Sequence, residues 1–130
     1  MKKITICDKE YPIDCNALTY INFSKKFGRD IFKDIDIIES FVTKQVLVEE
    51  QIKEKYPEVA DEELIKTLSR KMLPDIGPYI EAVTRVAYIC VFTANENIGD
   101  YENWLKEIKR INTNDLWIVE VTEFAVSCFC

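Results

Sequence analysis

The sequence predicts one mainly helical domain, with five to six helices over residues 15–130 behind a β-hairpin in residues 1–14. Three observations carry that expectation. Apolar residues recur at three- and four-residue spacing through most of the chain, and they alternate only in the first thirteen positions. Three glycines and four prolines leave room for long regular elements. A chain of 130 residues that is 48% hydrophobic and 31% charged fits a single domain and is long enough to bury a core.

Taken in order, "ITICDKEYPI" reads as the hairpin, turning at Asp8 and Lys9. A two-residue loop there sets Ile6 opposite Tyr11 and Ile4 opposite Ile13, with all four side chains on one face. A lone hairpin is marginal in water, so that face must pack on something else. Asp14 or Asn16 can cap the first helix, whose stripe is Ala17, Tyr20, Phe23 and Phe27 and whose stop signal is Gly28. Ile31, Ile35, Ile38 and Val42 mark the second, with Lys33, Asp36 and Ser40 on its far side. The charges Lys25, Lys26, Arg29 and Lys33 alternate with Asp30 and Asp34, which reads as a solvated helical face.

Residues 43–60 form the most charged stretch. It is expected to be mobile, or to order against a partner, and to break at Pro57. Asp61 caps a following helix with Leu64 or Ile65, Leu68 and Met72 as its stripe, and Glu62 and Glu63 favour the positive end of its dipole. Another, longer helix begins after Pro78. Glu81, Thr84, Arg85 and Tyr88 share one arc of its wheel and the rest is apolar, which marks it as the central helix. Gly99 ends that segment. Asp100 caps the next helix, with Tyr101, Trp104, Leu105, Ile108 and Ile111 on one stripe. Asn114 caps the last, where Glu120, Glu123 and Ser127 form a narrow polar stripe. Trp117, Val121, Phe124 and Cys128 line up opposite, with Val119, Ala125 and Phe129 between. So broad an apolar surface exceeds what one interface of a small domain needs. "LWIVEVTEF" is β-branched enough that a strand is the alternative there.

Composition excludes several functions. A net charge of −6 without a basic cluster argues against nucleic-acid binding. With no histidine, the usual triads and most transition-metal sites are unavailable. The longest apolar run, Val86 to Phe92, is far short of the ~20 residues of a membrane span. No signal peptide opens the chain, so a cytoplasmic protein with reduced thiols is expected. The cysteines at 7, 15, 90, 128 and 130 show no C-x-x-C spacing, and the terminal Cys-x-Cys lacks the context of a lipidation signal. Each reads as a small buried hydrophobe. Acidic groups at Glu49, Glu50 and Glu54, or at Asp61, Glu62 and Glu63, lack the EF-hand pattern. No catalytic residue, metal or cofactor is therefore expected. Most aromatic side chains sit on apolar stripes and read first as core; the candidate partner contacts among them are Tyr88, Trp104, Trp117, Phe124 and Phe129.

Three stretches, "YPIDCNALTYINFSKKFGRDIFKDI", "EAVTRVAYICVFTANENIGDYENWLKEI" and "NDLWIVEVTEFAVSCFC", together resemble the tail assembly chaperones of long-tailed phages and prophages of low-GC Gram-positive bacteria. The resemblance runs in order over nearly the whole chain. It implies a small helical protein that is not an enzyme. Such a protein binds the tape measure protein, keeps it soluble and extended, gives way to tail tube subunits, and often self-associates. It would act in the host cytoplasm and be absent from the finished virion. Many members also occur as a longer frameshifted form, and this chain would be the short one. The alternative is a structural tail-completion or connector subunit that stays in the particle.

Overall fold

The computed structural model describes residues 2–130. Among these, a two-stranded antiparallel hairpin precedes five α-helices: β1 (Lys3–Ile6), β2 (Lys9–Pro12), α1 (Ala17–Phe27), α2 (Ile31–Lys55), α3 (Asp61–Ala94), α4 (Tyr101–Leu105) and α5 (Leu116–Phe129). A single 3-10 turn, Glu96–Ile98, links α3 to α4.

The hairpin turns one residue earlier than expected, at Cys7 and Asp8, with φ of 50° and 67°. Positive φ at both central residues is the twist a two-residue hairpin needs. Ile4 therefore faces Tyr11 and Ile6 faces Lys9, not Ile13 and Tyr11. Moving the turn by one residue moves every pairing by two, so sidedness survives: Ile4, Ile6, Tyr11 and Ile13 are all buried. The shift also frees Lys9 from the turn to bond Glu107 at 2.6 Å.

Asn16 caps α1 through Leu18 N–H at 2.9 Å, and Thr19 Oγ1 accepts from the Asn16 N–H at 3.0 Å. Gly28 ends the helix at φ 62°, a left-handed conformation that glycine adopts freely. The buried stripe is rotated from the expected one. Phe23 is enclosed and Phe27 half-buried, but Ala17 and Tyr20 are exposed and Thr19 takes the inner position. Its hydroxyl lies 2.8 Å from that of Thr93 on α3.

In α2, Ile31, Ile35 and Ile38 are buried as expected. Val42 is exposed, and Phe41 replaces it by stacking on Tyr79 at 4.0 Å. The reading of Asp34 as part of a solvated face is overturned. Its carboxylate is fully buried, accepting from Arg85 Nε at 2.7 Å and Nη2 at 3.0 Å and ion-paired with Arg29 Nη2 at 2.8 Å. Three cross-pairs, Asp34 with Arg85, Phe41 with Tyr79 and Lys44 with Asp75, descend α3 as they climb α2. The two helices are thus antiparallel over their length. Residues 43–55 belong to α2, which ends before Pro57.

The two helices expected on either side of Pro78 are one, 34 residues long, with Pro74, Gly77 and Pro78 inside it. A proline within a helix removes one backbone bond and crowds the preceding turn, at a cost of ~3 kcal/mol. These two stand four residues apart, hence on one face, and both are exposed, so the carbonyls they orphan can meet water. Met72 and Tyr79 hold the opposite side in the core. Asp61 is the first helical residue rather than the cap, since Ala60 occupies that position without a side-chain bond. Of the expected stripe Leu64 and Met72 are buried, Leu68 is half-buried, and Ile65 points outward.

The half of α3 after Pro78 is the centre of the domain, touched by the hairpin, α1, α2, α4 and α5. Of its polar arc, Thr84, Arg85 and Tyr88 face neighbours and Glu81 stays exposed. Thr84 Oγ1 lies 2.6 Å from the Tyr101 hydroxyl, and Tyr88 donates to the Gly99 carbonyl at 2.7 Å. Asp100 caps α4 through Asn103 N–H at 2.8 Å, yet α4 stops at Leu105. Ile108 and Ile111 sit half-buried in a non-helical link, because i+3 backbone bonds tighten the helix end at Glu107 and Ile108. The last segment is a helix and not a strand. Asp115, not Asn114, stands at its cap, and its carboxylate turns back to the Asn112 N–H at 2.9 Å.

Two stability changes follow. Asp34→Ala is expected to lower the unfolding free energy by ~3–5 kcal/mol, because two guanidinium groups lose the carboxylate between them. Urea unfolding followed by circular dichroism measures it. A loss under ~1 kcal/mol would show that apolar packing alone holds α2 on α3. Gly28→Ala meets no neighbouring atom, so its expected cost is the backbone term of ~1–2 kcal/mol, read in the same assay.

Candidate functional site

An open groove lies between α2 and α5, with a volume of about 800 Å³. Ile38 and Val42 form one wall, Ile118, Val119 and Val126 the other, and Tyr79 of α3 contributes to its lining from below. Sequence spacing creates it. Ile38 and Val42 recur at i and i+4 on α2, while Val119 and Val126 recur at seven on α5, so each pair lines one side of its helix. Val42 and Val119 are 47% and 52% exposed, well above what core residues show. The only charged side chains lining the groove are Glu39 and Glu123, one on each helix, so its rim is acidic. Thr122, on the same wall, has a hydroxyl shielded from solvent without a hydrogen-bond partner.

The side of α5 adjoining that wall docks the helix onto the core. Trp117, Ile118, Val121 and Ala125 are buried, and Phe124 and Phe129 are half-buried. Phe129 meets Phe32 edge-on at 5.3 Å and Tyr20 at 6.4 Å, closing the end of α5 against α1 and α2. Of the five aromatic residues expected to contact partners, Tyr88 and Trp104 are fully enclosed and pack on each other at 5.7 Å. Trp117 is nearly as buried. In this protomer these three are core side chains, and the exposed apolar surface lies on valines instead. On the groove walls the exposed apolar side chains are Val42 and Val119.

Three cysteines far apart in sequence come together behind α1. Cys15 follows Asp14, whose backbone N–H bonds the Cys90 carbonyl of α3 at 3.1 Å. The Cys90 thiol and the Cys128 thiol of α5 lie close enough to influence the Cys15 sulfur. The neighbouring Cys90 thiol is the largest influence, and it brings the Cys15 pKa down to about 6 against the opposing effect of burial. Cys90 holds its own proton well above the ordinary thiol range, because it bonds Cys15 and is wholly buried. Nothing in the spacing 15, 90, 128 could have announced this. The arrangement is a chain centred on Cys15, with neither a cation nor a histidine beside it. α5 ends at Phe129, so Cys130 stands past its last helical residue.

Among the described residues no group of His, Cys, Asp or Glu is arranged to hold a metal ion. No helix among them is long and apolar enough to cross a membrane. Compared with models of protein families, with curated proteins and with solved structures, the chain matches none.

The Cys15 thiolate has a measurable consequence. Carbamidomethylation of Cys15, followed by peptide mass spectrometry across a pH series, should rise with a midpoint near pH 6, whereas an ordinary thiol rises near ~8.5. A midpoint above pH 8 would remove the influence assigned to Cys90.

Proposed function

We propose that the protein is a tail assembly chaperone of a long-tailed phage or prophage, acting by holding apolar helical segments of the tape measure protein. The observation that carries this reading is the open apolar groove between α2 and α5. An amphipathic helix lays apolar side chains into such a groove, and exposed valines along both walls match that kind of contact. Carboxylates at Glu39 and Glu123 favour a client with basic residues beside its apolar face. The near-full-length resemblance of the sequence to this family supports the same reading. In it the protein works in the cytoplasm of the host, yields its client to tail tube subunits, and stays out of the virion. It carries out no reaction itself.

Co-expression with a tape measure protein tests the reading. The expected outcome is a soluble, co-purifying tape measure protein, lost in the double variant Val42→Asp and Val119→Asp while circular dichroism stays unchanged. Both positions are solvent-exposed, so the substitutions spare the core. An insoluble tape measure protein beside abundant wild-type chaperone would refute the proposal. Finding the protein in purified virions would favour a structural tail subunit.

A further inference from the structure

Three thiols meet where the segment ahead of α1 reaches α3 and the end of α5. The Asp14 N–H donates to the Cys90 carbonyl at 3.1 Å, which holds the next residue, Cys15, against the enclosed half of α3. From the other side, Phe129 of α5 meets Tyr20 of α1 at 6.4 Å, so the last turn of α5 comes against the helix that Cys15 precedes. Cys128 follows Ala125 by three residues and Val121 by seven. Both are fully buried, so the Cys128 side chain leaves α5 on its docked side. The three thiols differ in access: Cys90 is buried, Cys15 half-buried and Cys128 exposed. Cys7 is engaged elsewhere, donating to the Arg110 carbonyl at 3.3 Å.

A disulfide demands a particular separation and dihedral angle, so neighbouring thiols must still shift to bond. Cys90 has little room to do so. It stands in the middle of a long helix, and Ile89 and Val91 beside it are as inaccessible as it is. Cys128 lies in the last turn of α5, one residue before the helix ends, and can turn toward a partner. Access and freedom to move therefore select the same pair, Cys15 with Cys128. Cys15 also carries the right reactivity, since a thiolate and not a thiol is the nucleophile, and Cys15 is ionised at neutral pH.

We propose that Cys15 and Cys128 form a peroxide-sensitive pair, in which a hydroperoxide oxidises Cys15 and Cys128 then bonds it as a disulfide. In the first step the Cys15 sulfur attacks one peroxide oxygen and the O–O bond breaks. Cys15 becomes a sulfenic acid, and the departing hydroxide takes a proton from solvent as water. In the second, the Cys128 sulfur attacks the Cys15 sulfur, an S–S bond forms and the S–O bond breaks. The hydroxide that leaves takes the Cys128 proton as a second water. Two thiols supply two electrons, and one hydrogen peroxide is reduced to two waters. The bond would tie the last turn of α5 to the segment ahead of α1. Val126 and Cys130, on either side of Cys128, line the groove, so oxidation would anchor that wall to the body of the domain. The inference rests on the thiol cluster and is independent of the client.

Peptide mass spectrometry tests it. The purified, reduced protein is treated with hydrogen peroxide and digested without reduction. The expected product joins the Cys15 and Cys128 peptides, is two hydrogens lighter than the pair apart, and comes from a single chain. Dithiothreitol should release it. In Cys128→Ser, Cys15 should stop at the sulfenic acid, which dimedone captures. Cys15→Ser should lose the link altogether. Cys90→Ala keeps the core apolar and should still form the link, with circular dichroism confirming the fold of each variant. A Cys15–Cys90 bond, bonds only between chains, or no bond overturns the proposal. So does a Cys128→Ser chain that yields no dimedone adduct at Cys15. A yield no higher than that of the urea-unfolded chain also overturns it, because folding would then not bring the two thiols together.

Discussion

One buried carboxylate sets the geometry on which the rest depends. Asp34 has no access to water and lies between two guanidinium groups, one from α3 and one from the segment joining α1 to α2. Burying charge is expensive, and an apolar substitute of similar volume is often as stable. What the ion cluster adds is position. An isoleucine can slide along an apolar stripe, but the two-pronged bond from Arg85 fits Asp34 in only one alignment of the helices. From there Phe41 meets Tyr79, Lys44 meets Asp75, and α2 ends before Pro57. The same alignment places Ile38 and Val42 opposite α5, so the groove inherits it.

The second organising feature is the division of labour along α3. Its first half packs on α2 and exposes the rest. Its second half is enclosed, with Ala82, Val83, Val86, Ala87, Ile89 and Val91 all essentially inaccessible. Small residues at Ala82 and Ala87 leave room for close neighbours, and the larger ones fill the space between hairpin, α1 and α5. Pro74 and Pro78 mark the passage from one half to the other. They weaken the helix where exposed carbonyls can be hydrated, at a place where packing on α2 keeps it continuous.

Much of this was legible from local chemistry. Asn16, Gly28, Pro57 and Asp100 act where their backbone preferences say they should, and the alternation of Ile4, Ile6, Tyr11 and Ile13 gives the correct buried face even with the turn misplaced. What escaped depends on partners distant in sequence. Asp34 looks like any surface acid until Arg85, fifty-one residues away, is placed beside it. Continuity through Pro74 and Pro78 depends on tertiary packing against α2, which outweighs a local breaker. The thiols of Cys15, Cys90 and Cys128 converge from three elements with no spacing rule to connect them. For the candidate site, the broad apolar character of α5 was visible, but which part of it stays uncovered was decided by how α5 docks on α3.

The carboxylates on the two groove walls, Glu39 and Glu123, give that opening a negative potential. Near a basic macromolecule the molecule would turn before touching, so encounters would begin groove first. The speed of association, more than its final strength, should therefore track the ionic strength of the surrounding medium.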